Sequence, residues 1–162
     1  MKIIFLDIDG VLLTRRTMIA TGRNWSAAEP DRVLCRLLQC GCDQDGTHIV
    51  ISSTWRDTPA KCRAKLAEGG LVHCLHKTDW RTPVDLPLSP GGIYMPPTRG
   101  AEIRAWLKAH PETTDYRILD DEAHDFNEDP ELSSRLLLCD PNNGADFNVL
   151  LELFQFCGLT RP

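Results

Sequence analysis

The stretch MKIIFLDIDGVLL, residues 1–13, decides the fold. One lysine followed by an apolar run resembles an export signal, but Asp7 and Asp9 interrupt that run, and carboxylates do not belong in the hydrophobic part of a leader. The better reading is a short buried strand, residues 2–6, that carries acids at its carboxyl end. Gly10 then allows the backbone to turn sharply. Without an export signal the expected compartment is the reducing cytoplasm, and seven cysteines, an odd number, argue against a closed disulfide framework.

Working outward from this strand, similar apolar runs recur: HIVIS (48–52), LVHCL (71–75), YRILD (116–120) and RLLLC (135–139). Helical patterns separate them. Pro30 suits a first helical position, and Val33, Leu34, Leu37 and Leu38 follow at helical spacing until Gly41 and Gly46. Thr58-Pro59 starts a helix reaching Glu68, and Thr98 caps one carrying Ile103, Trp106 and Leu107. The last helix runs from about Ala145 to Phe156, with Phe147, Leu150, Leu151 and Phe154 as its apolar set. Residues 10–27 read as an irregular loop or small hairpin. Residues 77–98, with Pro83, Pro87, Pro90, Pro96 and Pro97, read as an extended loop. Continuous apolar strands alternating with helices predict an α/β fold: a mainly parallel, five-stranded sheet covered on both faces.

The length of 162 residues predicts a single domain spanning 1–162, able to fold without disulfides or metal. A hydrophobic fraction of 42% excludes global disorder, and the absence of a long apolar run excludes a membrane-spanning helix. A net charge of −5 excludes a generally basic nucleic-acid coat but not a local basic patch.

Open parallel sheets bind ligands beyond the carboxyl ends of their strands. Three polar clusters fall there: Asp7-Ile8-Asp9-Gly10, Ser52-Ser53-Thr54 and Asp120-Asp121. Carboxylates converging at one edge repel one another unless a cation lies among them, and oxygen donors select a hard ion, Mg²⁺. Such an ion leaves one carboxylate free to act as a nucleophile. The hydroxyls and amides of residues 52–54 suit phosphate oxygens, and Arg99 completes the charge balance.

DIDGVL, IVISS, Arg99 and ILDD resemble, in order, the four motifs of the haloacid dehalogenase (HAD) superfamily, with its three-layer Rossmann-like core. The longer patterns ISSTWR, RGAEIRAWL and ILDDE resemble the small HAD domains associated with RNA repair proteins. The resemblance implies that Asp7 forms an aspartyl-phosphate. It implies that Asp9 protonates the leaving oxygen and then activates water. Mg²⁺ would be held by Asp7, the Asp9 backbone carbonyl and Asp121, with Asp120 bound through water or holding Arg99. Ser52 would bond the phosphoryl group, helped by Ser53 and Thr54. Arg99 fills the position of the family's phosphoryl-stabilising Lys or Arg, with Lys77 and Arg56 as other candidates.

An acid at the position of Asp9 marks phosphatases rather than dehalogenases of the superfamily. Roughly 40 residues lie between Asp9 and Ser52 and roughly 45 between Ser52 and Arg99, most of them needed by the core, so no cap domain fits and an open site is expected. Open sites suit phosphates on large substrates, nucleic-acid ends or phosphoproteins, and the preferred substrate class is a nucleic-acid end or a nucleotide phosphate. Arg15, Arg16 and Arg23 follow the nucleophile and can hold substrate phosphates. The rivals are a phosphatase of small molecules or phosphoproteins, and a non-catalytic phospho-acceptor or Mg²⁺-binding signalling module. The expected partner is a phosphorylated substrate and not a membrane, with the chain a monomer or weak dimer. Cys40, Cys42 and Cys74 raise the question of zinc, but C-x-C is not the usual C-x₂-C spacing. Trp55 reads either as a stacking platform for a base or as core packing.

Overall fold

Alternation along the first strand explains the layering. In the computed structural model, which describes residues 1–24, 27–84, 86 and 97–159, β1 (Lys2–Leu6) is flanked on both sides. Successive strand residues point to opposite faces, so Ile3 and Phe5 enter one core and Ile4 and Leu6 the other. The same division holds in β2 (His48–Ile51) and β3 (Asp115–Asp120): Val50, Tyr116 and Ile118 join Ile3 and Phe5, while Ile49, Ile51 and Leu119 join Ile4 and Leu6. Two buried faces are what a parallel sheet requires.

Helices supply the two outer layers. α2 (Arg32–Asp45), α3 (Pro59–Glu68) and α6 (Phe147–Phe156) bury Leu34, Leu38, Leu66, Val149 and Leu153 on one face. α4 (Arg99–Ala109) and α5 (Pro130–Arg135) bury Ile103, Trp106 and Leu132 on the other. The short α1 (Arg15–Ala20) lies between β1 and α2 and buries none of its residues. Gly41 lies inside α2, not at its end, because the helix packs there against Cys157: a Cβ would sit 2.4 Å from the sulfur. The helix stops at Gly46.

The sheet order is β2-β1-β3-β4, all parallel, with β4 spanning Leu136–Leu138. Four strands are therefore present among the described residues, where five were expected. The segment 71–75 contains a 3₁₀ turn, Val72–Cys74. Leu71 and Cys74, three apart, both face the core, which a strand could not arrange. Among the described residues the edge of β2 is met at isolated bridges, Ile49 with Leu75 and Ile51 with Arg81. Residues 10–27 also differ from expectation, since they contain α1, nucleated by a capping box between Thr14 and Thr17. In α6 the buried set is Val149, Leu153 and Phe156; Phe147 is 76% exposed and Leu151 is exposed too. FNVLLELFQF is apolar on several faces, so periodicity could not choose among them. Of the proline-rich loop expected over 77–98, residues 85 and 87–96 lie outside the described residues. Among the described residues no helix is long and apolar enough to cross a membrane.

Candidate active site

Strand register assembles the site. Leu6 is paired with Ile51 on one side and Leu119 on the other, so the next residues, Asp7, Ser52 and Asp120, emerge abreast at the carboxyl edge. The ladder continues one step further through Asp7 N–H to the Leu119 carbonyl (3.0 Å) and Ser52 N–H to the Leu6 carbonyl (3.0 Å). Ile8 is buried in the core, placing its neighbours Asp7 and Asp9 together on the other side. Immediately afterwards the chain folds back, with Gly10 N–H on the Leu13 carbonyl at 2.7 Å.

Gly10 has φ +76°, and a Cβ there would lie 2.1 Å from Asp121 Oδ2. The missing side chain is thus the space that Asp121 occupies. Carboxylate oxygens of Asp7, Asp120 and Asp121 come within 4.8 Å of one another. Arg99, in the first turn of α4, reaches into this cluster: Nη1 is 2.9 Å from Asp7 Oδ2 and 2.6 Å from Asp120 Oδ2, while Nε is 3.8 Å from Asp125 Oδ2. Its helix is capped by Thr98, whose hydroxyl accepts from Ala101 N–H.

Four carboxylates, those of Asp7, Asp9, Asp120 and Asp121, thus meet one guanidinium. The imbalance, with burial, pushes the pKa values of Asp9, Asp120 and Asp121 upward. Burial, and then the charge of Asp7, raise Asp120 and Asp121 above the ordinary carboxylate range, with Arg99 acting the other way. Asp9 is also raised, first by burial and then by Asp7, against a hydrogen bond from Trp55. Burial opposes the charge on Arg99, but Asp7 and Asp120 overcome that and keep it protonated. An all-oxygen donor set with excess negative charge fits a hard divalent cation. Asp120 has both oxygens engaged, one by Arg99 and one by Glu122 N–H at 3.0 Å; Asp121 faces the cavity.

That cavity is open, holds about 220 Å³, and is lined by Asp7, Asp9, Gly10, Arg15, Thr54, Arg99, Asp121, Glu122 and Pro141. Ser52 lies behind it, fully buried, and its hydroxyl has no hydrogen-bond partner. Buried polar atoms are normally paired, so this hydroxyl retains an unused donor at the strand end. Ser53 instead caps the 3₁₀ turn Thr54–Asp57 through Trp55 N–H. Arg16 is not among the lining residues and pairs with Asp31 at 3.2 Å. Arg56 is buried, bonded to the Ser52 and Ser53 carbonyls and to Glu102 Oε1 at 2.5 Å, so it braces the loop. Lys77 and Arg23 are exposed and also absent from the lining.

Three contacts around this edge carry no local signal in the sequence. Trp55 Nε1 donates to Asp9 Oδ2 at 2.9 Å. Asp125 flanks Arg99, and Glu102 pairs with Arg56. Glu102 stands one helical turn after Arg99, a spacing that places both on one face. A larger hollow of about 710 Å³ lies elsewhere, at Ala27, Pro30, Cys35 and Gly69, with the exposed pair of Arg32 and Glu29 at 2.9 Å on its rim. The thiols of Cys42 and Cys74 lie within hydrogen-bonding reach of each other. Among the described residues neither they nor Cys40 enter a three-ligand cluster, and all seven cysteines are free thiols.

Searches of curated proteins and of solved structures return no significant match. A family model does match, over residues 3–146, and that span contains every residue of the acidic cluster and the cavity. The chain belongs to the family of HAD domains found in Swiss Army Knife RNA repair proteins.

Proposed function

We propose that the chain is a Mg²⁺-dependent phosphomonoester hydrolase working through an aspartyl-phosphate on Asp7. The observation that carries this reading is the contrast between two aspartates at one strand end. Both border the open cavity, but Asp7 is buried and paired with the Arg99 guanidinium, whereas Asp9 is half-buried and takes its hydrogen bond from the Trp55 indole. A nucleophile has to be held in place at the phosphorus, and a general acid has to reach the leaving oxygen; burial shifts the Asp9 carboxyl upward, in the direction a proton donor needs.

Mg²⁺ would be held by Asp7, the Asp9 carbonyl and Asp121, with Asp120 acting through water or through Arg99. When bound, it would supply positive charge against the acids and the phosphoryl oxygens. Arg99 engages Asp7 Oδ2 and leaves Oδ1 to attack phosphorus. As the phosphorus–oxygen bond to the leaving group breaks, Asp9 gives that oxygen its proton. Water then attacks the phosphorus of the acyl phosphate, Asp9 takes a proton from it, and the bond to Asp7 breaks to release phosphate. Ser52 Oγ and Arg99 supply donors to the phosphoryl oxygens in both steps.

The substrate we favour is the phosphate of a nucleic-acid end or nucleotide. The family's occurrence in RNA repair proteins supports it, as does Arg15 on the cavity rim, where it can contact a backbone phosphate. Incubation with an aryl phosphate, with and without Mg²⁺, tests the chemistry. Turnover should require Mg²⁺ and disappear in Asp7→Asn; turnover that survives that change refutes the mechanism. A panel of 3′- and 5′-phosphorylated oligonucleotides tests the substrate. Arg15→Ala should weaken oligonucleotide hydrolysis while sparing the aryl phosphate.

A further inference from the structure

Asp9 has a bonding partner that lies outside the cavity. Trp55 packs half-buried against the core and does not line the open site, yet its indole N–H donates to Asp9 Oδ2 at 2.9 Å. The indole is held on a braced turn. Ser53 Oγ accepts from Trp55 N–H at 3.4 Å. The buried Arg56 next to it ties the Ser52 and Ser53 carbonyls to Glu102 of α4. The loop after β2 therefore grips a side chain of the loop after β1.

The chemistry of the donor gives this contact a direction. An indole nitrogen can donate but cannot accept, so Asp9 Oδ2 can serve only as an acceptor toward Trp55. The other oxygen, Oδ1, is then the one that exchanges a proton with the substrate. We infer that Trp55 is a positioning residue: it holds Asp9 by Oδ2 and dedicates Oδ1 to the leaving oxygen and then to the attacking water. The inference rests on the hydrolase reading above. In the first step the Oδ1–H bond breaks and an O–H bond forms on the leaving oxygen as its bond to phosphorus breaks. In the second, a water proton returns to Oδ1 as the water oxygen bonds phosphorus and the Asp7–phosphorus bond breaks.

Two measurements test it. The chain has four tryptophans, and Trp55→Phe identifies the indole N–H signal of Trp55 in a ¹H–¹⁵N spectrum. That signal should move upfield and exchange faster in Asp9→Ala. An unchanged signal in Asp9→Ala, where the wild-type protein shows Mg²⁺-dependent turnover, overturns the role of Trp55 alone. The second measurement compares phenyl phosphate, a poor leaving group that needs the proton, with p-nitrophenyl phosphate, which needs it little. In single turnovers Trp55→Phe should slow phosphoryl transfer from phenyl phosphate about tenfold, the scale of one hydrogen bond to a charged group, and from p-nitrophenyl phosphate less than about threefold, with KM unchanged. Equal losses on both substrates would mean packing only, and a raised KM confined to nucleotides would mean base stacking; either overturns the inference. A wild-type protein without Mg²⁺-dependent turnover overturns the hydrolase reading itself and the catalytic role with it.

Discussion

Replacing Asp121 by asparagine should make the metal-free protein more stable and the Mg²⁺-loaded protein less so. Asp121 shares a cluster with Asp7 and Asp120 in which carboxylate oxygens lie within 4.8 Å of one another. Arg99 pairs with Asp7 and Asp120 directly, one charge against two, and makes no ion pair with Asp121. Across 4.8 Å two full charges repel by about 3.5 kcal/mol at an effective dielectric constant of 20, and by about 1 kcal/mol in water. Asp121 is only partly buried, so the lower end applies. An amide in its place keeps the shape and removes the charge. We expect Asp121→Asn to stabilise the metal-free protein by about 1 kcal/mol, a rise in Tm of roughly 2–4 °C at this chain length. Wild type should gain about 2.7 kcal/mol when Mg²⁺ is present at 100 times its Kd. The variant, lacking a donor that borders the cavity, should gain almost nothing. The order of the two melting temperatures therefore reverses between EDTA and Mg²⁺, which differential scanning calorimetry reads directly. A variant that melts below wild type in EDTA, or that responds to Mg²⁺ as wild type does, refutes the electrostatic reasoning.

Gly10→Ala should lower stability by at least about 1–2 kcal/mol, the cost of a left-handed conformation for a residue with a Cβ, and should abolish the Mg²⁺ response because that carbon displaces the Asp121 carboxylate; urea unfolding with and without Mg²⁺ checks both effects. Arg99→Gln leaves Asp7 and Asp120 buried without their cation, so a destabilisation of about 3–5 kcal/mol and loss of turnover are expected, measured by urea midpoint and by aryl phosphate hydrolysis. Asp129 caps α5 and forms a two-pronged pair with Arg104, which holds its carboxyl down at about 2. A depressed folded-state pKa gives stability that is present above the unfolded value of 3.8 and is lost as pH falls through about 2. The pair is solvent-exposed, so about 1 kcal/mol is at stake, and Asp129→Ala should flatten the stability profile between those pH values relative to wild type.

How far the chain could be read depended on whether a signal was local. β1, β2 and β3 were legible because a continuous apolar run ending in acids or serines has few other uses. α3 and α4 were legible from Thr58-Pro59 and from Thr98, since Pro59 presets the helical backbone angle and the Thr98 hydroxyl caps the first turn, both within a few residues. The segment 71–75 was not, because five apolar residues suit a strand or a tight turn equally. The choice was made by core contacts three residues apart, at Leu71 and Cys74. α6 failed in the same way: with apolar residues on several faces, only packing against the sheet could select Val149, Leu153 and Phe156 over Phe147.

The sequence by itself determined which acids and hydroxyls end which strands, and therefore that Asp7, Asp9, Ser52, Asp120 and Asp121 would share one sheet edge. That follows from chain direction: in a parallel sheet every carboxyl end lies on the same side. Only the tertiary structure decided what each of these groups touches. Register set Asp7 between Ser52 and Asp120, and helix placement brought Arg99 between Asp7 and Asp120. The same packing turned Arg16 to Asp31, Arg56 to Glu102 and Trp55 to Asp9. Partners 15 to 46 residues apart in the chain are chosen by three-dimensional proximity and by the cost of burying an unpaired polar group, and no local pattern encodes either.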